Sequence, residues 1–138
     1  MKPVFFTDRD LGKTFPRILQ EAGIAIEPHS DHFAGETPDA EWLPVVADRD
    51  WYVLSNDLGI HRKRIERELV INGGIGLFLV VGGHAPMRHL AHNFVNTYAL
   101  VEKFIEDHER PFIAKIYRPI PKSLVAEGKP GSVELKWP

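Results

Sequence analysis

The chain has 138 residues, of which 43% are hydrophobic and 26% charged, and its formal net charge is −2. These values predict one soluble globular domain with a substantial core, and they exclude nucleic-acid binding through a global basic field. Because there is no cysteine, a disulfide scaffold, a thiolate zinc site and a cysteine nucleophile are excluded. The apolar start is too short for a signal peptide and no run reaches the ~18 residues of a membrane span, so we expect a cytoplasmic protein.

The N-terminal segment predicts a strand, a helix and a second strand. Residues 4–7 are apolar and either β-branched or aromatic, as in a buried strand. The segment that follows has apolar residues at helical spacing and ends at Gly23, a residue that often terminates helices. A second short strand over residues 24–28 then leads into a polar loop over residues 29–37, which has no periodicity.

The next segment predicts a helix and a third strand. The order Thr37-Pro38-Asp39 is typical of a helix start, with Thr37 as the N-cap residue and an acid near the positive end of the helix dipole. Pro44 is expected to shorten or distort this helix. Residues 51–55 then form the predicted third strand.

The C-terminal half continues the alternation of helices and strands. Residues 60–70 predict a helix, and residues 75–81 form the most hydrophobic run, which predicts a central fourth strand. The longest helix is predicted from about Pro86 to Glu109, and a fifth strand is predicted over residues 112–117.

Strands that alternate with helices predict a parallel sheet covered on both faces. The predicted fold class is therefore α/β, a three-layer α/β/α sandwich around a central, mainly parallel sheet of about five strands. We expect one domain over residues 1–118. Residues 119–138 would be a C-terminal extension that forms either an edge strand or a flexible tail.

Four aspartates stand where the predicted elements meet one end of the sheet. Asp8 and Asp57 follow strands one and three, Asp39 begins a helix, and Asp10 lies two residues beyond Asp8. Ligands of open α/β sheets bind beyond the carboxyl ends of the strands, and clustered carboxylates repel one another unless a cation lies between them. Any one of these acids alone is explained by helix capping. Their coincidence favours a divalent metal site of Asp8, Asp39 and Asp57, with Asp10 as an outer ligand.

Such a site is suited to phosphodiester hydrolysis, most of all of RNA. Mg²⁺ or Mn²⁺ binds oxygen ligands, stabilises charge on phosphoryl oxygens and makes a water nucleophilic near neutral pH. Arg9, Lys13, Arg62 and Arg64 are the candidate phosphate-binding residues. For any single residue of the basic run after Asp57, an ordinary solvated helix face with Glu66 and Glu68 as counter-charges is the simpler explanation.

The histidines carry less information. His89 and His92 are spaced as neighbours on one helix face, but the His-Glu-x-x-His pattern of zinc proteases is absent. His29 and His32 fall in the polar loop, and the sequence assigns them no role.

Three segments carry a family resemblance: residues 5–12 (FFTDRDLG), 37–43 (TPDAEWL) and 51–57 (WYVLSND). In this order they resemble the PIN-like domain family, specifically the VapC-type toxin ribonucleases of toxin–antitoxin modules. The resemblance covers roughly the first half of the chain. It implies a small α/β/α sandwich, Mg²⁺- or Mn²⁺-dependent endoribonuclease activity, an antitoxin that occludes the site, and homodimerisation.

The resemblance also implies roles for single residues. Asp8, Asp39 and Asp57 match the acidic metal-site positions of the family, whereas Asp10 stands where Asn or Ser is frequent. One departure is evident, because residues 58–61 lack the fourth acid that many PIN domains carry there.

Three alternatives remain open from sequence. A receiver-like signalling domain would use Asp57 as phosphoacceptor and Lys115 in the fifth strand, but the hydroxyl residue that would end strand four is replaced by Gly82-Gly83. A phosphatase of the haloacid dehalogenase type would use Asp8 and Asp10, although the chain is short for that fold. A PIN-like protein with an incomplete metal site would bind without catalysing.

Overall fold

The computed structural model describes residues 2–57 and 64–138, without the side chains of residues 64–66. The strands are β1 (Val4–Thr7), β2 (Ala25–Pro28), β3 (Tyr52–Asn56), β4 (Gly76–Val80), β5 (Phe112–Tyr117) and β6 (Ser132–Trp137). The helices are α1 (Thr14–Glu21), α2 (Asp39–Asp48), α3 (Arg64–Asn72) and α4 (Met87–Asp107). Short 3₁₀ turns lie at Arg9–Leu11, His29–Asp31 and Lys122–Val125.

The six strands form one sheet in the order β2-β1-β3-β4-β5-β6. All neighbouring pairs are parallel except β5 and β6, which are antiparallel. Thr7 is paired with Leu54, and Val80 with Ile116, so β1, β3, β4 and β5 end at the same edge of the sheet. We call this the carboxyl edge. Residues that follow these strands are therefore brought together, as the alternation of strands and helices predicts.

Successive strand residues point to opposite faces, and this places two helices on each face of the sheet. Phe5, Leu54 and Phe78 pack with α1 and α4 on one face. Phe6, Val53 and Leu77 pack with α2 and α3 on the other. The predicted three-layer α/β/α class with a mainly parallel sheet is confirmed.

Helix α2 differs in two ways from its predicted form. Its N-cap residue is Pro38 and no side chain caps it, so the prediction of Thr37 as N-cap was wrong. The helix also continues through Pro44 to Asp48. Proline removes one backbone hydrogen bond from the helix. Here the buried side chains of its inner face hold the helix against the sheet: Trp42, Leu43 and Val46.

The remaining elements lie close to their predicted positions. The predicted helix over residues 60–70 corresponds to α3, although residues 58–63 lie outside the described part of the chain. The C-terminal residues form β6, which pairs along the length of β5. None of the described helices is both long and apolar enough to cross a membrane.

Candidate functional site

Asp8 is held rigidly at the carboxyl edge, directly after β1. Its backbone N–H donates to the Leu54 carbonyl at 2.9 Å, which ties it to the neighbouring strand β3. Its Oδ1 accepts from the Arg9 backbone N–H at 2.7 Å, so Asp8 caps the 3₁₀ turn that follows. The turn buries Leu11 completely and ends at Gly12, whose φ of 67° suits glycine. As a result, Asp8 is only 6% exposed.

The carboxylates of Asp8 and Asp10 converge on one buried serine. Ser55 Oγ, in β3, lies 3.1 Å from Asp8 Oδ2 and 3.1 Å from Asp10 Oδ2. The Asn56 backbone N–H also donates to both carboxylate oxygens of Asp10, at 3.2 Å each. The 3₁₀ turn after β1 therefore delivers two acids to the end of β3.

Ser55 has a single hydroxyl proton and can donate to only one of the two carboxyl groups at a time. The second contact is a hydrogen bond only if the other carboxyl group carries a proton. Burial, with the like charges of Asp10 and Asp39, raises the pKa of Asp8 to about 7. Burial also raises the pKa of Asp10. Both shifts show a carboxylate cluster whose negative charge is poorly compensated by the surrounding protein.

Asp39 is the third acid of this cluster. It is the first residue of α2, and its charge acts on both Asp8 and Asp10. Its Oδ1 accepts a hydrogen bond from Trp42 Nε1 at 3.0 Å. Because Trp42 is fully buried, this bond fixes the Asp39 carboxylate at the start of the helix.

Asp57 follows β3 at the same edge, but its carboxylate is engaged elsewhere. Its backbone N–H donates to the Val80 carbonyl at 3.0 Å. Its Oδ1 lies 2.9 Å from Nζ of Lys115, in β5, and the side chains are 24% and 20% exposed, respectively. The structure therefore groups Asp8, Asp10 and Asp39, and it pairs Asp57 with a lysine.

The donor set of this site suits a hard divalent cation. Asp8, Asp10 and Asp39 offer only oxygen ligands, and their mutual repulsion is what a bound cation would relieve. Among the described residues, however, no three or more His, Asp or Glu side chains already stand in an arrangement that could hold a metal ion. The acids are gathered, but Asp39 remains bonded to Trp42 and Asp57 to Lys115.

A small cavity of about 220 Å³ opens beside Asp8, and Arg9, Lys13 and His29 line it. His29 is 2% exposed and packs among the rings of Phe6, Phe33 and Trp42. Its Nε2 is buried and makes no hydrogen bond to the described residues. Burial, with the nearby Arg9, lowers the pKa of His29. The sequence assigned His29 no role, but β2 pairs parallel with β1 and Pro28 lies opposite Thr7, so the residue after β2 lies next to Asp8.

The four basic residues predicted to bind phosphate fall into two groups. Arg9 and Lys13 are exposed at the cavity beside Asp8, and the Arg9 guanidinium donates to the Gly35 carbonyl. Arg62 lies outside the described residues, as does the side chain of Arg64.

The fold and the acid cluster define a PIN-like domain. Residues 3–82 match the family described as PIN like domain, and the chain belongs to that family. The match runs from β1 through β4 and includes all four aspartates, so the resemblance first seen in three short segments is confirmed. A Mycobacterium tuberculosis (strain ATCC 25618 / H37Rv) protein named "Putative ribonuclease VapC45" is 28% identical over 104 residues, which are 71% of this chain and 75% of that protein. No solved structure matches the chain significantly.

Proposed function

We propose that this protein is a metal-dependent endoribonuclease, the toxin component of a type II toxin–antitoxin system. The observation that carries the proposal is the convergence of the buried Asp8 and of Asp10 on Ser55 at the carboxyl edge of a PIN-like domain. A ribonuclease name on the similar Mycobacterium tuberculosis protein supports it. The predicted Mg²⁺ or Mn²⁺ dependence and cytoplasmic location are parts of this proposal.

In this mechanism, Asp8 and Asp10 would be the central ligands of the metal ion, and Ser55, which lies 3.1 Å from both carboxylates, would orient them. When bound, a Mg²⁺ or Mn²⁺ ion supplies Lewis-acid stabilisation of the phosphoryl oxygens and makes a water nucleophilic near neutral pH. Asp39 would add negative charge that attracts the cation, and its hydrogen bond from Trp42 fixes its carboxylate at the start of α2. Asp57 would be available to hold the metal ion only if its carboxylate were released from Lys115.

The residues around the small cavity hold the substrate. Arg9 and Lys13 line the same cavity as Asp8 and bring positive charge to it. There they would bind the phosphates on either side of the scissile bond. His29 lines the same cavity and has a buried ring nitrogen without a hydrogen-bonding partner among the described residues, and it would position a polar group of the substrate or exchange a proton with it.

The proposed partners are an RNA substrate and an antitoxin protein that covers the acid cluster, with a homodimer as the proposed assembly. An antitoxin that inserts a basic side chain beside Asp8 would relieve the same repulsion that the cation relieves. Expression of the protein alone should therefore slow growth, and a small protein encoded beside it should restore growth.

The direct test is cleavage of structured and single-stranded RNAs with Mn²⁺, with Mg²⁺ and in EDTA. Wild-type protein should cleave with either metal and not in EDTA, and Asp8→Asn should be inactive with an unchanged circular dichroism spectrum. Asp48→Asn, an exposed acid at the far end of α2, is the matched control and should retain full activity. Undiminished cleavage by Asp8→Asn would refute the proposal.

The ion pair between Asp57 and Lys115 specifically favours a second candidate, the receiver-like phosphoacceptor domain. This candidate places an acceptor Asp after β3 and a Lys in β5, as found here. It leaves Asp39 without a role. Labelling of Asp57 by acetyl phosphate, lost in Asp57→Asn, would favour this candidate over the nuclease.

A further inference from the structure

A second cavity, of about 520 Å³, lies at the other end of the carboxyl edge. Arg88, His89, His92 and Asn96 of α4 line one side, and Val125 and Ala126 of the C-terminal segment line the other. Its volume lies in the range of small-molecule and cofactor sites. It shares no lining residue with the cavity beside Asp8.

The wall of this cavity is built by specific hydrogen bonds. Asn96 Nδ2 donates to the Val125 carbonyl at 2.9 Å, and Asn93 Nδ2 donates to the Tyr117 carbonyl at 3.2 Å. Thr97 Oγ1 accepts from the Gly131 backbone N–H at 2.9 Å. Polar side chains of α4 therefore fasten the segment after β5 along the helix, and Val125 is 97% buried against it.

Cationic groups lie in the lining of the cavity and close to it. Burial lowers the pKa of His89, and the positive charges of Arg118, His92 and Lys122 lower it further. Arg88 adds another cation to the lining, and none of the described lining residues is acidic. His89 Nε2 is buried without a hydrogen-bonding partner among the described residues. The start of the 21-residue helix α4 adds the positive end of its dipole.

The position of this cavity relates it to the acid cluster. Arg118 follows β5 directly and α4 begins after β4, so both lie on the edge to which Asp8 belongs. From β1 to β5 the sheet crosses three strand spacings, or about 15 Å. A short single strand of RNA can span that distance while its scissile phosphate lies beside Asp8.

We propose that the cavity between α4 and the C-terminal segment is a binding site for a nucleotide phosphate of the RNA substrate, a few nucleotides from the cleaved bond. Arg88 of the cavity lining would bind the phosphate, and the charges of Arg118 and Lys122, which lie close enough to act on His89, would attract it. The rings of His89 and His92, which line the cavity, would receive the attached nucleoside, as flat side chains receive unstacked bases. This inference rests on the proposed ribonuclease function and deepens it by locating the path of the substrate.

The test measures binding of a fluorescent single-stranded 12-nucleotide RNA to wild-type protein in EDTA, over a series of salt concentrations. The double variant Arg118→Gln/Lys122→Gln should bind at least tenfold more weakly. Its slope of log K against log salt should be smaller by about 1.4, or about 0.7 for each lost phosphate contact. Arg88→Gln, at an exposed position on the rim, gives an independent measurement and should reduce the slope by about 0.7.

The matched control is Lys2→Gln/Lys103→Gln, which makes the same change in net charge at two exposed lysines that neither line the cavity nor act on His89. It should leave the slope unchanged. An unchanged slope in both cavity variants, or no RNA binding by wild-type protein, overturns the proposal. Tight binding of uridine monophosphate that the cavity variants abolish, with unchanged RNA binding, also overturns it in favour of a free-nucleotide site.

Failure of this proposal is distinguishable from failure of the nuclease function. If RNA binds through the cavity but is not cleaved with Mn²⁺, the binding site stands and the nuclease proposal fails. If RNA is cleaved with Mn²⁺ but the cavity variants bind it normally, the nuclease proposal stands and the binding site fails.

Discussion

Asp57 Oδ1 and Lys115 Nζ form an ion pair of 2.9 Å that reaches from the end of β3 across β4 to β5. Both side chains are about four-fifths buried, so each charge would be left partly buried and unpaired if its partner were removed. In a double-mutant cycle with Asp57→Asn and Lys115→Met, we expect a coupling free energy of about 1 kcal/mol. Urea unfolding of the four proteins measures it, and a coupling of zero would show that the pair does not stabilise the fold.

The raised pKa of Asp8 predicts a stability that falls as pH rises. In the unfolded chain this carboxyl group ionises near pH 3.8, whereas in the folded protein it keeps its proton up to about pH 7. Folding therefore becomes less favourable between these values, by up to about 4 kcal/mol at about 1.4 kcal/mol per unit of pKa shift. Below pH 3.8 both states are protonated and the penalty is absent.

Urea unfolding of wild-type protein and of Asp8→Asn, in EDTA at pH 4.5 and pH 7.5, isolates this contribution. The variant should gain stability relative to wild type at the higher pH, because asparagine does not ionise. Added Mn²⁺ should stabilise wild type at pH 7.5 and leave Asp8→Asn nearly unchanged. A stability difference between the two proteins that is independent of pH would contradict the raised pKa.

Asp39→Asn should separate the charge of this residue from its structural bond. Asparagine Oδ1 can still accept from Trp42 Nε1, so the melting temperature should change by no more than a few degrees. The loss of one carboxylate from the acid cluster should lower Mn²⁺-dependent RNA cleavage at least a hundredfold. Asp48→Asn, in the same helix, should match wild type in both measurements.

His29→Phe tests the buried imidazole beside Asp8. Phenylalanine keeps the ring contacts with Phe6, Phe33 and Trp42, so the fold should survive. Removing the ring nitrogens should reduce cleavage at least tenfold at saturating RNA, since proton transfer or positioning by this group would be lost. His32→Phe, in the same loop and away from the cavity, is the control. Equal rates for His29→Phe and wild type would show that His29 only packs.

Gly76→Ala tests the packing of the sheet away from the site. A Cβ at Gly76 would lie 2.6 Å from Cδ1 of Tyr52 and 2.9 Å from Cζ of Phe112, so rings on both neighbouring strands would have to move. We expect a loss of about 1–3 kcal/mol in the free energy of unfolding. Gly35→Ala, where a Cβ meets nothing within 4 Å, should be nearly neutral.

The sequence predicted the strands and helices well where residues that bound an element, such as prolines, enclose an apolar run that is buried in the fold. The predicted fifth strand coincides with Phe112–Tyr117, because an apolar run there is bounded by Pro111 and Pro119. The start of α2 was misplaced by one residue, because the segment carries both a hydroxyl residue and a proline that can precede a helix.

The site was predicted less completely, for reasons that lie in side-chain geometry. Position after a strand indicates which edge an acid reaches but not which partner its carboxylate selects. The pairing of Asp57 with Lys115 depends on strand order and register, and so does the meeting of Asp8 and Asp10 at Ser55. His29 directly follows the predicted second strand, so its position gave a signal, but its place next to Asp8 depends on the pairing of β2 with β1.

The antiparallel β6 has a consequence for how other proteins can approach this molecule. It covers the flank of β5 and presents a margin that is largely exposed and carries Glu134 and Lys136. At the opposite margin of the described sheet, β2 is four residues long and ends in Pro28. Charged and proline-terminated margins are poor templates for an incoming chain to extend the sheet. An inhibitory protein would therefore gain little affinity from backbone pairing with the sheet. Most of its affinity would come from side chains inserted into the acid cluster.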